Sequence, residues 1–140
     1  MEKYKIIIDT NLWISLLIGK RLSELQSLCN SPFIKVFICD ELKEEFIRVS
    51  NQEKIKKYAS NERIVQTLKL IETSCIMVSI GKRVVLSKLR DVNDLYLLAL
   101  AETVNADFIL TGDKDLLTLK NHRSTKIVYY QEFIALVGFY

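Results

Sequence analysis

The chain has 140 residues, 49% of them hydrophobic and 26% charged, so it can bury roughly two-thirds of its unfolded surface and needs no metal or disulfide staple to fold. With 20 Lys and Arg against 17 Asp and Glu, the net charge of +3 permits an anionic partner without demanding one. Four Gly, one Pro and the absence of any repeat exclude a linker, a collagen-like chain and a solenoid.

Cys29, Cys39 and Cys75 are widely spaced and lack C-x-x-C spacing, which argues against zinc; Cys39 and Cys75 sit in apolar runs and read as small core residues. That usage suits a reducing, cytoplasmic setting. The N-terminus has no signal-type apolar region, and no apolar run approaches the ~18 residues of a membrane span.

In chain order, residues 5–8 read as a buried strand, followed by a helix "TNLWISLLIGK" with Thr10 or Asn11 near its N-cap. "RLSELQSLC" reads as a second helix and "KVFIC" as a second strand. Asp40 then reads as the cap of a helix whose Leu42, Phe46 and Val49 share one face. Helical patterns over 52–59 and 61–73 precede an apolar strand over 75–80. "DVNDLYLLALAETVNA" is amphipathic, with Leu97, Leu98, Ala101 and Val104 on one face. A strand "DFILTG", a short helix "DKDLLTL", a strand "KIVYY" and a terminal helix "QEFIALVGF" complete the chain. Apolar strands without polar alternation, separated by helices, predict an α/β fold: three layers, α/β/α, with a mostly parallel central sheet, as a single domain over 1–140.

Three acids have related addresses in that fold. Asp9 follows the first strand, Asp113 follows strand 107–110, and Asp94 sits in the first turn of the helix beginning near Asp91–Asn93. Glu45 lies one turn into the helix after the second strand. Ligand crevices of open parallel sheets form outside the carboxyl ends of the strands. Each acid alone is explained as a cap or turn residue, favoured by a helix dipole by ~0.3–1 kcal/mol. Together they would repel one another unless a cation lies between them, and oxygen-only donors suit Mg²⁺ or Mn²⁺. The alternatives are thin: the single His122 follows a polar loop and reads as exposed, and there is neither a G-x-S-x-G nor a Walker A pattern. Metal-assisted phosphodiester hydrolysis is the chemistry these residues allow.

The blocks "IIIDTN", "ELKEEF", "RDVNDLYLLALA" and "ADFILTGDKDLL" resemble, in that order and at similar spacing, those of the PIN-domain nucleases, across essentially the whole chain. The nearest flavour is the VapC-type toxin. The resemblance implies Asp9, Glu45, Asp94 and Asp113 as the catalytic acids, with Asp9, Asp94 and Asp113 on the metal. It implies Asn11, Asp91 and Thr111 as supporting residues, with slack at Glu45 because Glu41 and Glu44 are neighbours, and reads Asp115 as the cap of the short helix after Asp113. Val92 stands where many relatives have Pro. The implied activity is Mg²⁺- or Mn²⁺-dependent endoribonuclease cleavage of RNA, with a cognate antitoxin and a homodimer as partners. Lys56 and Lys57, and the cluster from Lys82 to Arg90, are candidate guides for the RNA backbone.

Other readings fit less well. A receiver domain needs an acidic pair after its first strand and an acceptor Asp after its third, and a D-x-D phosphatase needs an acid where Asn11 stands. A non-catalytic module of the same family would have lost acids, and none is missing. A non-toxin RNA-processing nuclease remains the alternative within the family.

Overall fold

The computed structural model describes residues 3–80 and 95–138. Their elements, in order, are β1 (Tyr4–Ile8), α1 (Thr10–Ile18), α2 (Leu22–Asn30), β2 (Ile34–Ile38), α3 (Asp40–Ser50), α4 (Glu53–Lys56), α5 (Asn61–Ser74) and β3 (Ile76–Met77). After the segment 81–94 come α6 (Leu95–Val104), β4 (Phe108–Leu110), α7 (Lys114–Leu119), β5 (Asn121–His122), β6 (Thr125–Val128) and α8 (Tyr130–Val137).

Six strands form one sheet in the order β3-β2-β1-β4-β6-β5. All neighbouring pairs are parallel except β5 with β6. Successive strand residues point to opposite faces, so the complete burial of Ile6, Ile7 and Ile8 means that both faces of β1 are covered. The same holds for Phe108, Ile109 and Leu110 in β4. Helices therefore flank the sheet on both sides, in the α/β/α arrangement the sequence pattern predicts. From β1 the chain first builds outward to β2 and β3, then crosses back to place β4 on the other side of β1. The gap between the carboxyl ends of β1 and β4 is thus the topological switch point of the sheet.

The helix faces follow the apolar spacing. Leu42 and Phe46 of α3 are fully buried, and Val49 packs at the margin of the core. Leu97, Leu98 and Ala101 of α6 are buried against the sheet side of that helix. Phe133 of α8 is completely buried and meets Phe108 edge-on at 5.2 Å between ring centroids.

Several local details depart from the sequence reading. The cap of α1 is Asp9 rather than Thr10 or Asn11. Cys39, not Asp40, occupies the N-cap of α3, and Asp40 is its first helical residue, where the dipole rather than a capping bond favours the charge. The 52–59 pattern yields only the four-residue α4. The apolar run 75–80 forms a two-residue edge strand whose Ile76 and Met77 are 41% and 45% exposed, because a strand at the rim of the sheet has no second neighbour to cover it. Cys75, read as core, is only partly buried, while Cys39 is fully so. His122 is not free: it sits in β5, and its Nε2 lies 3.0 Å from Oε2 of the nearly buried Glu102, which Arg123 also grips at 3.1 Å. This cluster ties the β5–β6 hairpin to α6.

Truncating Phe133 to Ala removes the ring that seals α8 onto β4, with no polar group to rescue the cavity. We expect a loss of about 3–5 kcal/mol in urea unfolding without a change of fold, read by circular dichroism and the denaturation midpoint.

Candidate active site

The β1–β4 pairing places the first acid. Its register runs Ile6↔Phe108, Ile7↔Ile109 and Ile8↔Leu110, and the Asp9 N–H adds one more rung by donating to Leu110 O at 2.9 Å. The next residue on β4, Thr111, is in turn held by its N–H on Val128 O at 3.0 Å. Asp9 and Thr111 therefore leave the sheet side by side at the switch point.

Thr111 joins two of the acids through one hydroxyl. Its Oγ1–H donates to Asp9 Oδ2 at 2.7 Å, and Oγ1 accepts from the Asp113 N–H at 3.0 Å. Asp113 is the N-cap of α7: its Oδ1 accepts from the Asp115 N–H at 2.7 Å and from the Leu116 N–H at 3.3 Å. The capping role expected of Asp115 thus belongs to Asp113, and Asp115 lies exposed in the first turn.

The third acid reaches the site from α3. Glu45 Oε2 accepts from the Tyr96 hydroxyl at 2.6 Å, and that hydroxyl lies 3.3 Å from Thr10 Oγ1. Burial and the Glu45 carboxylate push the Tyr96 phenol well above its ordinary range, so it stays protonated and able to donate at any physiological pH. Glu41 and Glu44 are exposed, whereas Glu45 is half-buried and makes this contact. Tyr96 and Thr10 escaped the sequence reading. The available signal was a polar-tipped ring in the otherwise apolar run "LYLLALA".

The electrostatic consequence is concentrated on Asp9, which is 3% exposed. Its pKa rises from 3.8 to about 6. Burial is the largest cause; the Thr111 bond lowers it, Glu45 raises it, the nearby Asn11 amide lowers it without closing a capping bond, and Asp113 raises it. Asp9 therefore feels both other carboxylates across the switch point. Among the described residues none of the three is in an ion pair with Lys, Arg or His.

Asp91 and Asp94, with Val92 and the Lys82–Arg90 cluster, lie outside the described residues. Among the described residues no group of three or more His, Cys, Asp or Glu is close enough together to hold a metal ion. The donor chemistry nevertheless suits a hard divalent cation. All the acidic groups offer oxygen, and Glu45 Oε1 and Asp113 Oδ2 accept no hydrogen bond among the described residues. Asn11 is exposed on α1 with no side-chain bond among the described residues. Lys56 ends α4 and Lys57 is its C-cap; both are exposed, and no described hydrogen bond or ion pair links them to the acids. No helix of the described residues is long and apolar enough to cross a membrane.

The fold is an open, mostly parallel α/β sheet with Asp9 and Asp113 just past the carboxyl ends of β1 and β4. The PIN-domain family model matches residues 5–115, well over half of the chain, and the chain belongs to the PIN-domain family, whose members are generally nucleases. Among solved structures it is similar to a domain of a functionally unknown protein from Methanocaldococcus jannaschii. The TM-score is 0.53 at 18% identity, covering 91% of this chain and 90% of that one, a likeness of fold alone. Comparison with curated proteins gives no match.

The shifted Asp9 makes a thermodynamic prediction. In EDTA the folded state holds the Asp9 proton up to about pH 6, whereas the unfolded chain releases it near 3.8. Between those values the folded state binds more protons, so stability falls as pH rises, by roughly 3 kcal/mol in total, and stays low above pH 6. Asp9→Asn should flatten that fall in urea midpoints measured across the window. Thr111→Val, which removes the bond that lowers the Asp9 pKa, should move the fall to higher pH.

Proposed function

We propose that the protein is a divalent-metal-dependent endoribonuclease that hydrolyses RNA phosphodiester bonds. The observation that carries the reading is the Thr111 hydroxyl linking the Asp9 carboxylate to the Asp113 backbone N–H at the switch point, with Glu45 turned toward the same edge and no cation among the described residues paired to the three acids. Mutually repelling carboxylates held this firmly are poised for a cation rather than for one another.

On this reading Asp9 and Asp113, with Asp94 from the motif "DVND", would hold Mg²⁺ or Mn²⁺. When bound, such an ion supplies charge for the phosphate oxygens and acidifies a water. Thr111 fixes the direction in which Asp9 presents its carboxylate, because the hydroxyl proton is committed to Oδ2. Tyr96 does the same for Glu45, leaving Oε1 to accept a proton from an attacking water. Asp91 and Asn11 would support the acids from the rim.

Within the family, the likeness of its sequence blocks to the VapC-type toxins is the ground for proposing a toxin of a type II toxin–antitoxin pair over an RNA-processing enzyme. The proposal then includes a small cognate antitoxin, a homodimer and action in the cytoplasm.

The test is cleavage of a mixed RNA pool by the purified protein with Mg²⁺, Mn²⁺ or EDTA, alongside Asp9→Asn and Asp94→Asn checked for folding. We expect metal-dependent cleavage that drops about 100-fold or more in either variant. Cleavage that persists in EDTA or in both variants would overturn the metal mechanism. For the toxin role, induced expression should arrest growth of a bacterial host and Asp9→Asn should not; growth unaffected by a cleavage-competent protein points to RNA processing.

A further inference from the structure

Gly112, the middle residue of the "TGD" block, has no structural reason to be glycine. Its backbone is not in the left-handed region, and a Cβ built there would meet nothing within 4 Å. A glycine that neither strain nor packing requires is explained when something outside the fold must approach its backbone closely. Gly112 lines a cavity of about 390 Å³ that it shares with Arg21, Thr111, Tyr129 and Glu132, and Thr111 is the residue whose hydroxyl donates to Asp9.

A second cavity of about 380 Å³ continues from the first. It shares Tyr129 and Glu132 and adds Lys120 and Lys126. Tyr129 stands at the junction, 51% exposed, as the residue that leaves β6 beside Thr111 and Gly112. Its backbone carbonyl accepts from the Phe133 N–H at 3.0 Å, which fixes the position of the ring's Cα while the ring itself faces solvent. A large aromatic ring between two clefts, with Thr111 and Arg21 on one side and two lysines on the other, is the layout of a single-strand track: bases stack on the ring and phosphates meet the cations. The Glu132 carboxylate at the junction opposes a phosphate there and favours the amino edge of a base.

We propose that this pair of cavities is the substrate track: Tyr129 stacks a base next to the scissile phosphate, Gly112 lets the strand pass close to the backbone, and Lys120 and Lys126 hold the phosphates beyond. The occupant is single-stranded RNA, and the inference rests on the nuclease reading of the adjoining acids. It places the guiding lysines on the α7–β6 side of the site, not at Lys56 and Lys57.

The test uses the anisotropy of a short labelled single-stranded RNA of mixed sequence, in an Asp9→Asn background with Mg²⁺ so that the probe stays intact. Tyr129→Ala should weaken binding by about 5- to 150-fold, while Tyr129→Phe, which keeps the ring, should bind as the parent does. Gly112→Leu fills open space and should fold normally while weakening binding about tenfold or more, on the same scale of lost contact. Lys120→Gln with Lys126→Gln should lower the salt slope by roughly 0.7 per lysine. Equal binding by Tyr129→Ala and Gly112→Leu, with cleavage at unchanged KM when Asp9 is restored, overturns the track and leaves the nuclease reading standing. A parent protein that binds no RNA even at low salt overturns both.

Discussion

The ladder between β1 and β4 is the constraint on which the rest of this molecule depends. These two strands come from opposite ends of the chain, and their three paired positions are extended by the Asp9 N–H on Leu110 O. That last rung lies where ordinary strand pairing ends and the site begins. It brings a buried carboxylate to an equally buried hydroxyl 102 residues away. Sliding the register by one residue would send Ile7 and its neighbours to the wrong faces, so the core that fixes the sheet also fixes the distance between Asp9 and Thr111.

The site is held against an electrostatic gradient. Burial and two nearby carboxylates make the charged form of Asp9 unfavourable, and the Thr111 hydroxyl, with the Asn11 backbone N–H second, offsets them only in part. The fully buried isoleucines of β1 and the α8–β4 contact through Phe133 supply the stability that tolerates it. Polar groups that could relieve the strain are instead used for aim: Thr111 for Asp9 and the backbone of Asp113, Tyr96 for Glu45. Strain concentrated at a functional site and offset by the surrounding core is a common arrangement in enzymes.

Most of the sheet was legible because its strands are apolar runs buried on both faces, a pattern with few other readings. What failed to read locally was decided by position in the sheet. "CIMVSI" has the composition of a buried strand, yet its order in the topology puts it at the rim, where Ile76 and Met77 meet solvent. Asn121–His122 carries no apolar signal, and β5 exists only because β6 offers it a partner. Asp9 and Asp113 could be placed from the strand ends alone. That Glu45, rather than Glu41 or Glu44, is the half-buried one could not, since its contact is with Tyr96, a residue 51 positions away. Capping was misassigned for the same reason: Asp113 and Asp115 are equivalent as letters and differ only in which backbone N–H groups lie within reach.

The separation of 102 residues between Asp9 and Thr111 also sets an order of events during synthesis. Loop closure over that span cannot be completed until β4 has left the ribosome, and β4 needs β6 as its other neighbour. The β2–β1 half can pair early, with Asp9 already present but without its hydroxyl partner. The carboxylates are thus assembled near the end of folding rather than at its start, and an incomplete chain has the first acid but no pocket. On the nuclease reading proposed above, the topology is itself a delay that keeps nascent chains inert.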